Sequence, residues 1–246
     1  MTGGSRAFID LHCHTRASFD SLSSPADVVW AAHSRGLTHL AITDHDTIDG
    51  ALEARDRAPD GLTVLVGEEV KTAAGDLICL FLQRAVPPGL SVAETIAAVR
   101  EQGGLVGIPH PFDGHRSSLL RDEGLASLAS LVDWVEAFNA RVVLSDGNEK
   151  AALFAAQHGL PGVAVSDSHT IVEVAVASTV LNGDPSTPAG LLAALSTAQL
   201  ATGRASYFVR GVTPVAKLVQ RLRGVRRVPP GPAAGAGDGT AEGEDR

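Results

Sequence analysis

Two histidines near the start of the chain have the spacing of a metal site. His12 and His14 follow the apolar run Ala7–Ile9, which predicts a β-strand. Side chains two apart on a strand point to one side, so Asp10, His12 and His14 would face together. Two imidazoles that reach one point from a rigid element are a common basis for metal binding. A single pair of this kind also occurs on ordinary strands, so the prediction depends on the rest of the chain.

Similar polar residues recur where later apolar runs end. Further strands are predicted at Leu37–Thr43, Leu62–Val66, Leu105–Ile108, Trp134–Phe138 and Gly162–Val165. They are followed, in order, by His45, by Glu68 and Glu69, by His110, by Asn139, and by Asp167 and His169. In parallel α/β barrels the carboxyl ends of the strands open on one face. We therefore expect these side chains to converge from distant parts of the sequence.

Helical segments alternate with these strands, and several carry clear start and stop signals. Ser24 and Pro25 have the types expected of an N-cap and a first helical residue, and Gly159 is a typical helix stop. The predicted helices are 25–34, Ile48–Arg57, Ser91–Glu101, Leu125–Leu131 and Asn148–His158. Val70–Thr72 and Leu77–Leu82 are predicted to pair as a hairpin. This alternation predicts a mostly parallel, barrel-like sheet.

The last part of the chain has weaker signals. Val176–Leu181 and Ser206–Val209 are candidates to close the sheet, and helices are predicted at Pro188–Ala198 and Pro214–Leu222. From Val228 the chain is rich in Pro, Gly, Ala and acidic residues and has no hydrophobic period, which is typical of disorder. We therefore predict one domain over residues 1–227 and a tail over residues 228–246.

Composition excludes some classes of function. The 246 residues include 28 acids and 20 bases, and the net charge of −8 disfavours a protein that binds long nucleic acid through a broad basic face. The two cysteines form no CxxC motif and predict no disulfide framework. The sequence contains neither a signal-like opening nor a long apolar run, so we expect a cytoplasmic protein without a membrane contact.

The candidate ligands are histidines and carboxylates without thiolates. This mixture suits Zn, Mn or Fe in a multinuclear hydrolytic centre rather than a structural, cysteine-based zinc site. Five segments also match a known pattern in order: Asp10-Leu-His-Cys-His14, Thr43-Asp-His-Asp-Thr47, Gly67-Glu-Glu69, Pro109-His-Pro111 and Ser166-Asp-Ser-His-Thr170. Together they resemble the PHP (polymerase and histidinol phosphatase) superfamily, and most closely its stand-alone phosphoesterases that act on AMP or on nucleotide bisphosphates.

The resemblance implies a fold and a ligand set. The fold would be α/β, a distorted (β/α)7 TIM-like barrel, holding two or three divalent metal ions. His12, His14, Glu69 and Asp167 would surround the first metal. Glu69 would bridge to a second metal, which His110 also binds, and Asp20, His45 and His169 would surround a third. The family pattern Gly-x-Glu favours Glu69 over Glu68, and either Glu136 or Asn139 could complete the second site.

The resemblance also implies a reaction. We expect a metal-activated water to hydrolyse phosphate monoesters or terminal phosphodiesters of small nucleotides or short oligonucleotides. His45 or His169 would protonate the leaving oxygen, and Asp167 is counted with them as catalytic. Arg116, Arg141 and His115 are candidate contacts of the substrate phosphate.

Two further roles and two alternative functions are open at this point. Asp10 and Asp44 would either orient the rings of His12 and His45 or cap a turn. The alternative functions are a histidinol-phosphate phosphatase and a non-catalytic metal-binding scaffold. Asp20 stands where histidinol phosphatases tend to present a histidine, and nearly all family ligands are retained, so we prefer a nucleotide phosphoesterase.

Overall fold

Short apolar runs separated by helices build one curved sheet. The computed structural model describes residues 6–113, 123–142, 146–205, 209 and 211–227. The strands are β1 (Arg6–Asp10), β2 (His39–Ile42), β3 (Thr63–Lys71), β4 (Asp76–Leu80), β5 (Leu105–Ile108), β6 (Trp134–Asn139), β7 (Gly162–Val165), β8 (Ser178–Asn182) and β9 (Gln199–Ala201). The helices are α1 (Pro25–Ser34), α2 (Asp49–Arg57), α3 (Val92–Glu101), α4 (Glu123–Leu128), α5 (Gly147–His158), α6 (Pro188–Leu195) and α7 (Val212–Leu222).

The strand order within the described residues is β7-β6-β5-β4-β3-β2-β1-β8-β9. The strands β1, β2 and β3 pair in parallel, and so do β5, β6 and β7, while β4 runs against both of its neighbours. Beyond β1 the sheet continues with β8, which runs antiparallel to β1, and then with β9, which runs antiparallel to β8. The seven strands β1–β7, with one reversed, confirm the predicted distorted barrel.

Hydrogen bonds join β7, at one end of the strand order, to β8 and to the segment after β1, near the other end. They bring the sheet close to a closed barrel. The side chain of Thr179 on β8 donates to the carbonyl of Ala164 on β7 and accepts from its amide, at 3.0 and 2.9 Å. Beyond β1, the amide of His14 donates to the carbonyl of Ser168 and the amide of Asp167 donates to that of His12, both at 2.9 Å. The segments that follow β1 and β7 are therefore held against each other.

The helix signals in the sequence act as expected. The Ser24 side chain accepts from the Asp27 amide, Ser91 and Glu94 form a reciprocal capping box, and Gly159 ends α5 with φ of +64°. One buried apolar cluster, including Ile9, Leu65 and Trp134, lies within the barrel. A second cluster lies between the strands and helices α1–α5.

Several sequence expectations need correction. The strand predicted to end at Val66 continues through Glu69 to Lys71, because the hairpin partner β4 extends its pairing. The additional edge strand is Gln199–Ala201, and residues 206–208 of the segment expected there lie outside the described residues, as does the predicted tail 228–246. No helix in the described ranges is long and apolar enough to cross a membrane.

Candidate metal centre

The predicted ligands lie together at the carboxyl end of the barrel. His12 and His14 lie just beyond β1 rather than on it, and their Nε2 atoms are 2.9 Å apart. Ligand atoms of His12, His14 and Asp167 all lie within 4.8 Å of one another, and the same is true of His14, His45 and His169. His14 belongs to both groups, so the two groups form one continuous cluster.

Glu69 lies between the two parts of this cluster. Its Oε2 is 3.3 Å from His12 Nε2, 3.5 Å from His14 Nε2 and 3.1 Å from His45 Nδ1. Its Oε1 is 3.4 Å from His110 Nε2. One carboxylate thus contacts four imidazoles contributed by three separate strand ends, which is the position a bridging ligand would occupy.

The adjacent Glu68 points to the opposite side of β3. Its Oε1 accepts a hydrogen bond from the Val86 amide at 2.5 Å, and its side chain is fully buried. Burial raises the pKa of Glu68 to about 8. The alternation of side chains along the strand therefore separates two neighbouring glutamates, and only Glu69 reaches the cluster.

Asp20 contacts the outer part of the cluster from the loop after β1. Its Oδ2 is 3.3 Å from His169 Nε2 and 3.5 Å from His45 Nε2. Burial alone would raise the pKa of Asp20, but the nearby His169 and His45 outweigh it and hold that pKa well below its usual range. Asp20 is therefore a carboxylate at neutral pH, able to hold a cation with these two histidines.

Hydrogen bonds from behind fix the orientation of the rings. His12 Nδ1 lies 2.6 Å from Glu136 Oε1, and His14 Nδ1 lies 3.0 Å from Ser18 Oγ, which donates to Asp44 Oδ1 at 2.8 Å. Each ring thereby presents its Nε2 to the cluster, as metal-binding histidines commonly do. Glu136 and the Ser18–Asp44 pair act as orienting groups.

These contacts distinguish between the two roles considered for Asp10 and Asp44. Asp10 does not orient the ring of His12: its Oδ1 accepts from the backbone amides of His12 and Ser166, at 3.3 and 3.1 Å. Asp44 does not orient the ring of His45: it accepts from the amide and hydroxyl of Thr15, both at 2.6 Å, and thus caps a turn. Each aspartate near a histidine in the sequence thus accepts hydrogen bonds from backbone amides. The side chains that contact the histidine rings come from other parts of the sequence.

Glu136 and Asn139 both lie behind the cluster. Glu136 Oε2 accepts from the His110 amide and from Asn139 Nδ2, both at 2.8 Å, and Asn139 Nδ2 is also 3.0 Å from Asp167 Oδ2. Neither residue lines the cavity above the cluster. The two residues considered for the second metal site are thus arranged to position His12, His110 and Asp167.

The backbone at the strand ends adopts a costly conformation. Asp46, His110 and Asp167 have φ of +57°, +23° and +52°, in the region that non-glycine residues rarely occupy. Such conformations persist where the surroundings impose them, and they concentrate at functional sites. Here the strained residues carry or flank three of the strand ends that form the cluster.

A cavity of about 420 Å³ lies above the cluster. Asp20, His45, Glu69, His110 and His169 form part of its surface. On the opposite side it is lined by Thr213, Pro214 and Lys217 of α7 and by Arg227. We call the segment 211–227, which includes α7, the C-terminal wall.

Arg141 is the buried cation of this cavity. Its side chain is 4% exposed, Nη2 donates to Thr213 Oγ1 at 2.8 Å, and Nε lies 3.5 Å from Glu173 Oε1. Nη1 has no hydrogen-bond partner among the residues that the structure describes. The other predicted substrate contacts, His115 and Arg116, lie outside the described residues.

Sequence reasoning missed the contribution of the C-terminal wall. Gln220 Nε2 lies 2.6, 2.9 and 2.9 Å from the carbonyls of Arg16, Ser18 and Ser21, so one buried amide fixes α7 to the loop after β1. Arg227 pairs with Asp46 and Asp76 at the cavity rim. The available signal was local charge, because residues 217–227 contain five bases and no acid.

Comparison with known proteins agrees with this geometry. An uncharacterized protein of Methanocaldococcus jannaschii is 37% identical over 142 residues, covering 53% of this chain and 81% of that protein. A 5′-3′ exoribonuclease of Haemophilus influenzae is 31% identical over 121 residues, covering 44% of each chain. In structure, the fold resembles a two-domain protein of Bacteroides vulgatus containing a predicted PHP-like metal-dependent phosphoesterase, with a TM-score of 0.70 and 17% identity over 82% of this chain and 66% of that one.

The family assignment rests on the sequence itself. Residues 146–200 match the model of the PHP-associated family. The match to the PHP domain covers residues 10–135, which is half of the chain and spans the strand ends from His12 to His110. This chain belongs to the PHP domain family.

Proposed function

We propose that this protein is a metal-dependent phosphoesterase that hydrolyses phosphate esters of small nucleotides or short oligonucleotides. The observation that carries the proposal is the convergence of eight histidine and carboxylate side chains beneath a cavity that also contains a buried arginine. These eight are His12, His14, Asp20, His45, Glu69, His110, Asp167 and His169. The name of the Haemophilus influenzae relative, an exoribonuclease, supports a nucleotide substrate.

The residues present fit divalent metal ions. Burial and the neighbouring His169 lower the pKa of His14 well below its usual value, while Glu136 and Asp167 overcome the effect of burial and raise that of His12. The two Nε2 atoms are 2.9 Å apart, so the ring nitrogens of both histidines could bind the same cation. His110 Nδ1 is buried and has no hydrogen-bond partner within the described part of the chain. His45 Nδ1 lies 3.1 Å from Glu69 Oε2 but forms no hydrogen bond of suitable geometry with the described residues.

We assign the ligands in three overlapping groups. His12, His14, Glu69 and Asp167 would hold one ion, Glu69 and His110 a second, and Asp20, His45 and His169 a third. Divalent Mn, Fe or Zn ions in such a site supply Lewis acidity, which activates water and neutralises phosphoryl charge. Glu136, Ser18 and Asn139 would keep the ligand atoms pointing at the cavity.

The chain itself would bind the phosphate and move a proton. The planar guanidinium of Arg141 can donate two parallel hydrogen bonds to phosphoryl oxygens. His45 and His169 both line the cavity, so whichever of the two rings does not bind the third ion would carry a proton within reach of the leaving oxygen. The C-terminal wall would limit the access of bulk water to the bound ester.

The test joins metal content to a substrate panel. We expect the purified protein to bind two or three divalent ions and to release phosphate from AMP, adenosine 3′,5′-bisphosphate or a short 5′-phosphorylated oligonucleotide, with histidinol phosphate as the competing substrate. His12→Ala and Asp167→Ala should lower metal content and should reduce activity by more than the roughly 10–100-fold typical of groups that only orient a ligand.

The matched controls are His158→Ala and Asp60→Ala, which remove an exposed histidine and an exposed aspartate remote from the cluster. Both should retain metal and activity. Bound metal without release of phosphate from any of the four substrates would contradict the proposal and favour the scaffold. A protein that bound no metal under any loading condition would contradict the metal centre as well.

A further inference from the structure

The helix α7 is turned the opposite way from an ordinary surface helix. In a globular protein the apolar stripe of a surface helix packs on the core, and its polar face meets solvent. The inner side of α7 instead makes its contacts mainly through polar groups. Thr213 accepts a hydrogen bond from Arg141, and Gln220 donates to three carbonyls of the loop after β1. The apolar side chains of the helix are therefore left on its outer side.

Exposed apolar side chains form one stripe along this outer side. They follow one another at spacings of three and four residues, which places them on the same face of the helix. The stripe consists of Val212, Val215, Leu218 and Leu222, and the last three are each more than half exposed. Removing such a stripe from water is favourable, and a continuous exposed apolar surface is typical of a docking site.

Basic residues border the stripe on both sides. Consecutive residues of an α-helix are rotated by about 100°, so Arg221 and Arg223 flank Leu222 from opposite directions. Arg226 follows beyond the helix end. All three arginines are exposed, and none of them forms an ion pair with a carboxylate among the described residues. The segment 211–227 as a whole contains five bases and no acid, although the net charge of the chain is −8.

The helix dipole accounts for only part of this pattern. A positive charge near the carboxyl end of a helix interacts favourably with the dipole, which suits Arg221 in the last turn of α7. The dipole explains neither Arg226, which lies past the helix end, nor the apolar stripe. A surface that is apolar along its middle and cationic at its margins suits a partner that is apolar inside and anionic outside.

An anionic lipid surface has this chemistry. A helix in the plane of a membrane places its apolar side chains at the acyl boundary, while arginines at its flanks reach the headgroups. A protein partner fits less well, because the outer side of this 11-residue helix, about 16 Å by 10 Å, is far smaller than the roughly 800 Å² that each partner buries in a stable interface. A second copy would bring two segments of like charge together, which is unfavourable.

We propose that the outer side of α7 is a docking surface for membranes that contain anionic lipids. The apolar stripe would enter the boundary of the acyl chains, and the three exposed arginines would contact the anionic headgroups. The expectation of no membrane contact rested on the lack of a long apolar run, and a helix that lies on the membrane surface requires none. This inference goes beyond the proposed function and does not depend on it.

The experiment measures the binding of the full chain to lipid vesicles by co-sedimentation at low salt. Vesicles of phosphatidylcholine alone are compared with vesicles of equal parts phosphatidylcholine and phosphatidylglycerol. The partition coefficient should be about tenfold or more higher on the anionic vesicles, because each arginine near an anionic surface strengthens binding about fivefold. Added salt should reduce this difference, since it screens the charges.

Two variants test the two parts of the surface separately. Leu222→Ser removes the most exposed side chain of the stripe and should weaken binding to the anionic vesicles about tenfold. Arg223→Gln removes one charge and should weaken it about fivefold. The matched controls are Leu153→Ser on α5 and Arg57→Gln on α2, which change exposed residues of the same types. Both should bind like the wild type.

Three results would overturn the inference. The first is no binding to the anionic vesicles, or binding that Leu222→Ser leaves unchanged. The second is weaker binding in Arg223→Gln alone, which would indicate a surface for polyanions rather than for membranes. The third is a dimer in sedimentation velocity without lipid that Leu222→Ser converts to a monomer, which would assign the stripe to a second copy. None of these measurements requires turnover or bound metal, so a failure of the proposed function would not affect them.

Discussion

The metal cluster and the C-terminal wall face each other across one cavity, but they are built differently. His12 and Asp167 are fully buried, directly follow β-strands and have hydrogen-bonded neighbours. The wall is an amphipathic helix with an apolar outer face: Val215, Leu218 and Leu222 are 56%, 60% and 82% exposed. The difference indicates that the barrel positions the candidate metal ligands. The helix α7, which has a largely exposed outer face, lines the opposite side of the cavity.

The largest effect should follow from a change behind the metal cluster. Glu136→Gln keeps the shape of the side chain but removes the charge that orients His12 from 2.6 Å. The affinity for Mn²⁺ should fall by about 10–100-fold, the usual cost of losing such a partner. Titration calorimetry measures it, with the exposed Glu149→Gln on α5 as control. An unchanged affinity would mean that Glu136 does not orient His12 for metal binding.

A change between the two regions should affect the substrate without affecting the metal. Arg141→Lys retains a positive charge but loses the planar pair of donors in the cavity. We expect kcat/KM to fall about tenfold while metal content stays constant, because one charge-assisted hydrogen bond is lost. Arg57→Lys, exposed on α2, is the matched control. Loss of metal in Arg141→Lys would show that the arginine supports the cluster instead.

A change in the wall should have a smaller and local effect. Gln220→Ala removes the amide that contacts three carbonyls of the loop after β1. Loss of roughly 1 kcal/mol should speed amide hydrogen exchange of 212–222 about fivefold and leave the barrel strands unchanged. Gln199→Ala, on the exposed edge strand β9, should change neither. Equal acceleration in the barrel would mean that wall and barrel open together.

The smallest effect should come from a histidine remote from both regions. His39 at the start of β2 contacts the hydroxyls of Thr38 and Ser186, and burial lowers its pKa more than Asp184 raises it. The unfolded chain therefore binds a proton that the native chain resists, and stability is lost as the pH falls through about 6.5. Between pH 7.5 and pH 5.5 the free energy of unfolding should fall less in His39→Gln than in the wild type. An equal loss would assign the acid sensitivity to other groups.

The strand ends could be predicted because apolar runs and the residues after them are local signals. Those signals, together with family motifs, indicated the eight side chains now found around the cluster. The partners of the rings could not be predicted in the same way. His12 is oriented by Glu136, which lies 124 residues away in sequence, and not by its neighbour Asp10. The strands β1 and β6 are not neighbours in the sheet, and only the closing of the sheet into a barrel brings the two side chains together.

The wall was unpredictable for a related reason. An amphipathic pattern predicts that α7 is a helix with one buried face, but it does not identify the surface that the helix covers. The buried side chain of Gln220 holds α7 against the loop after β1, although a glutamine side chain is ordinarily expected in solvent. Chain-wide charge was also misleading, since a net charge of −8 coexists with five bases in eleven residues beside the site.

The reversed strand β4 has a consequence for how new specificity can arise. Its hairpin with β3 turns at Thr72–Gly75, on the rim of the cavity, and places Asp76 where it pairs with Arg227. Added residues at this turn would not interrupt any strand pairing of the barrel. They would instead extend across the opening of the cavity and compete with Arg227 for its place at the cavity rim. The hairpin is therefore a natural insertion point, where a relative could exchange a helical cover for a loop or a small domain.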